Sequence, residues 1–219
     1  MKKTLKAALL TMVRLPNLCR TLAMRVLVLL ILLLPVLSFG SPESEKQWFE
    51  KTQVLAAQGS AVAQLDLGNM YYMGRPAPQD VKEAIKWWRL AAEQGKVYER
   101  GFCFWRLAHL CNAKFNLARV YMIGENDIPK DDKERVKWNR LAADEGHAMA
   151  QKNVGYQYFI GEHVPKDNVH AYMWLNIAGA NGLDVKELKE RLTGEMSKAD
   201  IAKAKKKTRQ YIKFNPDVY

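Results

Sequence analysis

The residues in this chain that could do chemistry are few, and their spacing decides how each is read. His163, Asp167 and His170 lie four and three residues apart, so two imidazoles and a carboxylate could meet a metal ion on one helical face. Asp167, however, stands where a helix begins and serves as its cap. A solvated loop and helix start is therefore the expectation, and no metal site is assigned. His109 and His147 lie at or beside inter-helix turns and are read as local hydrogen-bonding groups. No Ser or Thr is followed three residues later by Lys, and G-x-S-x-G, Walker and H-E-x-x-H patterns do not occur. No catalytic residue and no cofactor are expected. Repeated Trp and Tyr residues could form an aromatic ligand box, but at fixed intervals they read as core packing.

The surroundings of these residues are set by a chain of 219 residues with net charge +11. Residues 1–40 hold six of the basic residues and no acid, and they include the apolar run Val26–Leu37. That is the layout of a secretory signal, with Ser38 and Gly40 as the small residues before a cut at Ser41, and Met24 as a second possible start. Twelve apolar residues fall short of the roughly 20 that span a bilayer. The expectation is export to a periplasmic or secreted location, and the alternative is an anchor in the inner membrane through residues 26–37. Losing six cations and no acid takes the charge from +11 to +5, so nucleic acid is not expected as a partner.

From Ser44 onward apolar residues recur at helical spacing, and the chain reads as all α. With Gly68, Ala118 and Gly155 as origins, Tyr71, Tyr121 and Tyr158 follow at +3, and Gly74, Gly124 and Gly161 at +6. Asp80, Asp131 and Asp167 come at +12, +13 and +12. Trp87, Trp138 and Trp174 come at +19, +20 and +19, and Gly95, Gly146 and Gly182 close the units. Each unit describes a helical hairpin. A first helix is stopped by a glycine free to take φ > 0, and a second is capped by Asp, with Glu83 and Glu134 at the capping-box position. Hairpins of this period stack into a solenoid.

The stretches AVAQLDLGNMYYMG, QDVKEAIKWWRLAAEQG, GHAMAQKNVGYQYFIG and KDNVHAYMWLNIAGANG carry a resemblance: the pattern is similar to the Sel-one-like repeat family, relatives of the tetratricopeptide repeats. The second unit departs from it, with Ala118 for the helical Gly, Arg135 in place of Ala84's counterpart, and one extra loop residue. The resemblance covers Gly59 to Gly182 and implies a right-handed α/α superhelix that binds other proteins as an adaptor, with no shared chemistry. A capping helix is expected over 41–58, three repeats over 59–182, and capping helices over 183–219.

Between Gly95 and Ala118 fourteen residues are added, so an insertion lies near 96–109. Phe104, Ala108, Cys111, Phe115, Ala118 and Met122 form one apolar stripe with no Gly or Pro from Phe102 to Ile123, which predicts an unbroken helix and a lengthened hairpin. Such a helix would hold Cys103 and Cys111 about 12 Å apart, too far for a disulfide. Exported members of the family staple hairpins with this Cys-x7-Cys spacing, so the resemblance implies the rival, a turn near His109 bridged by the two cysteines.

Two functional classes remain. The first is an exported interaction scaffold; the alternative is a cell-wall hydrolase or penicillin-recognising protein. For a scaffold, positions −2 and +1 of each first helix should face away from the partner helix and line the inner surface. These are Asp66, Asn116 and Asn153, and Asn69, Arg119 and Tyr156, expected to form two polar ladders that hold a peptide or loop. Arg119 is the expected carboxylate anchor, and the aromatic tip of Tyr98, Phe102 and Trp105 is the other candidate surface. Lys203, Lys205, Lys206, Lys207, Arg209 and Lys213 would give the last helix a solvated outer face or an attachment to an anionic envelope surface.

Overall fold

The caps expected from the sequence organise the fold. Asp80, Asp131 and Asp167 each take extended backbone and accept from the amide three residues on, those of Glu83, Glu134 and His170, at 2.9, 3.0 and 2.9 Å. Gly74, Gly124 and Gly161 close the first helices at φ 67, 70 and 75°, a region that costs a side chain strain. The glutamates of the expected capping box do not reach back. Each cap amide instead donates to the carbonyl of the tyrosine at +3, Asp80 to Tyr71, Asp131 to Tyr121 and Asp167 to Tyr158, at 2.9, 3.0 and 2.9 Å. Glu83 binds Lys86, and Glu134 accepts from Lys137 and Trp138.

The computed structural model describes residues 42–94 and 112–216. The chain divides into two compact units, Met1–Glu50 and Lys51–Tyr219. Of the first, only the start of α1 (Pro42–Ala57) is described. In the second, three hairpins follow: α2 (Ala61–Met73) with α3 (Val81–Glu93), α4 (Ala113–Ile123) with α5 (Asp132–Asp144), and α6 (Ala148–Ile160) with α7 (Asn168–Ala180). Two more helices follow among the described residues, α8 (Lys186–Thr193) and α9 (Lys198–Phe214). Each second helix packs on the first helix of the next hairpin, α3 on α4 and α5 on α6, and α9 lies against α7. This is a solenoid of stacked helical hairpins, and no strand occurs among the described residues.

Small residues and tryptophans make the stacking possible. A Cβ on Gly68 would come within 2.5 Å of the Trp88 ring, and one on Gly155 within 3.0 Å of Leu175, so both positions need bare backbone. Trp88 is 1% exposed and Trp174 is fully buried, each burial contributing a few kcal/mol of apolar transfer. Trp138 shares a core with Val81 and Ile85 of the preceding hairpin and Leu117 of its own, and Trp174 shares one with Ala142, Ala143 and Phe115. Trp87, in the first unit, is only partly buried, and its neighbour Trp88 takes the interior place. Arg89 donates to the Tyr121 hydroxyl at 2.7 Å and Arg140 to that of Tyr158 at 3.4 Å, so the same pair links successive hairpins.

One expectation is corrected here. The helix expected to run unbroken from Phe102 to Ile123 is interrupted at Asn112, which takes φ −129, ψ 113 and accepts from the Phe115 amide at 2.9 Å. Apolar periodicity did not reveal that an asparagine whose oxygen satisfies a first-turn N–H competes with continuing the helix. The signal segment 1–40, the insertion near 96–109, the tip of Tyr98, Phe102 and Trp105, and the pairing of Cys103 with Cys111 lie outside the described residues.

Candidate functional site

The six positions singled out on the first helices all fall on one stripe, since −6, −2, +1 and +5 follow at spacings of four, three and four. In the first hairpin the stripe reads Val62, Asp66, Asn69, Met73; in the third it reads Met149, Asn153, Tyr156, Ile160. Apolar side chains mark its edges. Met73, Ile123 and Ile160 occupy the same register position and are 42–43% exposed. Polar groups fill its centre.

The centre is more tied down than the two expected ladders. Asn69 Oδ1 accepts from Trp88 Nε1 at 3.0 Å and from Asn116 Nδ2 at 3.1 Å, joining the first two hairpins and satisfying a buried indole. Asn116 is 1% exposed and cannot reach a partner, which corrects its assignment as a binding residue. A position that looks outward on an isolated helix is covered when the next hairpin stacks on it. Asn153 Nδ2 donates to Asn139 Oδ1 at 3.5 Å. The Arg119 guanidinium lies 5.8 Å from the centre of the Tyr72 ring, whose hydroxyl donates to Glu125 at 3.1 Å. Burial and the Glu125 carboxylate both push the Tyr72 hydroxyl above its ordinary value.

Asp66 stands apart. It makes no side-chain hydrogen bond or ion pair among the described residues, and burial pushes its carboxyl up to about 6. A desolvated acid without a partner is a group that a cation or a donor from elsewhere would satisfy. At the other end of the stripe, Tyr156 is 40% exposed. With Asn153 it opens into a cavity of about 410 Å³ whose other side is the start of α8. Lys152 and the α8 residues around this cavity were missed by reasoning from the repeat register, because α8 lies outside the repeats.

The pair His170 and Asp167 is structural. His170 Nδ1 sits 2.6 Å from Asp167 Oδ2, and Asp167 also caps α7 through the His170 amide. Its carboxyl lies below the ordinary value because these hydrogen bonds outweigh the larger opposing pull of burial. His163 faces Asp132 instead, at 3.2 Å. No group of three or more His, Cys, Asp or Glu side chains placed to hold a metal occurs among the described residues.

Comparison with known proteins fits this geometry. The model of the Sel1 repeat matches residues 61–96, 111–147 and 148–183, the three hairpins in turn. Chitin synthase regulatory factor 3 of Schizosaccharomyces pombe is 30% identical over 176 residues, 78% of this chain and 17% of that protein. A protective antigen of uropathogenic Escherichia coli with an SLR fold superposes with a TM-score of 0.62 at 27% identity, covering 79% of this chain and 34% of that one. A Sel1 repeat protein from Oxalobacter formigenes does so at 0.52 and 28%, covering 65% and 51%. The chain thus spans between a sixth and about half of the length of these relatives. Register, caps and glycine contacts agree with the matched segments, and the chain belongs to the Sel1 repeat family, whose members serve as protein–protein interaction scaffolds.

Proposed function

We propose that this protein is an exported, non-catalytic scaffold that holds a protein or peptide partner against the stripe shared by α2, α4 and α6. The observation that carries this reading is the composition of the stripe: polar centres at Asp66, Asn69, Arg119, Asn153 and Tyr156 between apolar edges at Met73, Ile123 and Ile160. A peptide could satisfy its backbone at the centre and seat apolar side chains at the margin. Arg119, already anchored on Tyr72, keeps donors for a carboxylate. Asn116 contributes by fixing Asn69, not by touching the partner.

Photocrosslinking in the native host from positions 66, 119 and 156, read by mass spectrometry, tests the face. Arg119→Ala with Tyr156→Ala should reduce capture at least tenfold while the helical melting curve stays nearly unchanged. Undiminished capture would move the surface elsewhere. Export rests on the sequence of residues 1–40, and a mature N-terminus at Ser41 in the cell envelope would support it.

A second reading concerns α9. Lys203, Lys205, Lys206, Arg209 and Lys213 are exposed, and burial, followed by the like charge of Lys205, pushes the Lys189 ammonium below its ordinary value. This positive face suits attachment to an anionic envelope surface. Changing Lys205, Lys206 and Lys207 to Gln should then release the protein from the membrane fraction; unchanged fractionation removes this reading.

A further inference from the structure

Over the first two hairpins the centre of the stripe is largely engaged within the protein, and its accessible groups gather at the third. Asn69 and Asn116 bind each other, and Arg119 lies on Tyr72. At α6, Asn153 and Tyr156 instead face a cavity of about 410 Å³, a size suited to a small ligand group. On one side α6 meets α4, where Phe115 stacks on His147 with ring centres 4.1 Å apart and shares a core with Ala150 and Val154. On its other side α8 forms the far wall of the cavity.

Cations outnumber acids by three to two around the cavity, Lys152 from α6 with Lys186 and Arg191 from α8 against Asp184 and Glu187, and Lys186 also lies 4.0 Å from Glu190. Asp184 accepts from the Lys186 amide at 3.1 Å. Lys152 makes no hydrogen bond or ion pair among the described residues. The opposite end of the stripe carries the reverse charge, in the unpartnered Asp66.

We infer that the α6–α8 cavity seats the C-terminal carboxylate of an extended peptide, with Lys152 and Arg191 holding the carboxylate and Asn153 and Tyr156 the last peptide unit. The rest of the peptide runs back across α4 and offers a basic side chain to Asp66. This deepens the scaffold reading and rests on it. A chain end is favoured over an acidic side chain because α8 residues wall the cavity opposite α6, across the run of an extended peptide. The opposite charges at the two ends set the direction of the partner. Neighbouring first helices about 10 Å apart give a run of roughly 20 Å over two steps, about six extended residues.

The test uses the full chain and two random heptapeptide libraries immobilised through their N-termini, one with free C-terminal carboxylates and one amidated. The free-acid library should be retained, with a basic residue enriched five or six positions before the end. Each selected peptide should lose at least tenfold in affinity as its amide. Lys152→Ala with Arg191→Ala should cost a similar factor with melting unchanged, and the amide comparison on the wild-type chain needs no variant to fold. Equal binding of acid and amide overturns the carboxylate seat, as does an amidated library retained through internal Asp or Glu. Sensitivity to Arg119→Ala but not to the Lys152 and Arg191 changes leaves the scaffold face standing and overturns this inference alone. Retention of no peptide from either library overturns both.

Discussion

The middle hairpin and its two neighbours solve the same packing problem with different residues. In the outer two, Gly68 and Gly155 lie bare against Trp88 and Leu175. In the middle one Ala118 carries a methyl, and the residue in register with Trp88 and Leu175 is the shorter Asn139. Four residues before each origin the outer hairpins bury Gln64 and Gln151. These accept from Gln94 and Asn181 at 2.7 and 2.9 Å and donate to the carbonyls of Ala56 and Ala143 at 3.2 and 3.1 Å. The middle hairpin replaces the amide pair with an ion pair, Lys114 with Glu145, whose side chains are 10% and 18% exposed. What the array repeats is thus a set of contacts between positions thirty or so residues apart. A departure at one position is matched by a departure at its partner.

The ion pair offers the sharpest way to break this comparison. Glu145→Gln leaves the Lys114 ammonium buried and alone, and should cost about 3 kcal/mol. Adding Lys114→Gln rebuilds the chemistry of the outer hairpins and should recover most of it, read as the urea midpoint at constant m-value. If the double variant is as unstable as the single, the hairpins are not interchangeable at this site.

Acid should separate the hairpins next. The first helices are capped by Ser60, Asn112 and His147, and only the last titrates. His147 Nδ1 accepts from the Ala150 amide at 3.2 Å, and burial pushes its pKa down to about 4 from 6.5. The unfolded chain takes up this proton first, so the contribution is intact above pH 6.5 and is lost as pH falls from there toward 4. The loss amounts to roughly 3 kcal/mol at about 1.4 kcal/mol per pH unit, and His147→Asn should abolish it in denaturation at pH 7 and 4. Asp66 works in the opposite sense. Its raised pKa means a charged-state penalty that is full above about pH 6 and relieved as pH falls toward 3.8. Asp66→Asn should therefore add on the order of 1–2 kcal/mol at pH 7, discounted for its residual exposure, and little at pH 4.

Smaller effects follow from backbone approach and from the bonds between hairpins. Gly68→Ala drives a methyl into Trp88 and should cost about 2 kcal/mol. Ala118→Gly, in the corresponding place, should cost only about 1, mostly through helix propensity. Tyr121→Phe should cost about 1 kcal/mol and Tyr158→Phe less, since their hydroxyls receive arginine donors at 2.7 and 3.4 Å. Thermal melts of the four single variants give this order directly.

The fold was legible because its punctuation is local. An Asp followed by a free amide three residues on, or a Gly at φ > 0, acts within one turn, so Asp80, Asp131, Asp167 and the three loop glycines could be placed from spacing alone. The face of each first helix could be assigned in the same way. Asn116 was misread because its burial depends on Asn69, 47 residues away, a contact that no single-helix argument contains. The paired tryptophans Trp87 and Trp88 could not be ranked from repeat offsets, which align Trp87 with Trp174 although Trp88 is the one against Gly68. The break at Asn112 was hidden by an apolar stripe that continues through it.

The bond from each cap amide to the tyrosine carbonyl also separates the shape of the array from the length of its tips. Both ends of every tip loop are clasped, by the glycine on one side and by the Asp–Tyr bond on the other. The second loop carries one more residue than the others and absorbs it within its own span, with Asn126 and Asp127 at φ 50 and 64°. The Asp131 bond to Tyr121 keeps the 3.0 Å length found, within 0.1 Å, in the shorter loops. Sequence can therefore be added at these tips without disturbing the helices behind them. An epitope or a second recognition loop grafted between Gly124 and Asp131 would be displayed at the hairpin end while the array beneath keeps its register.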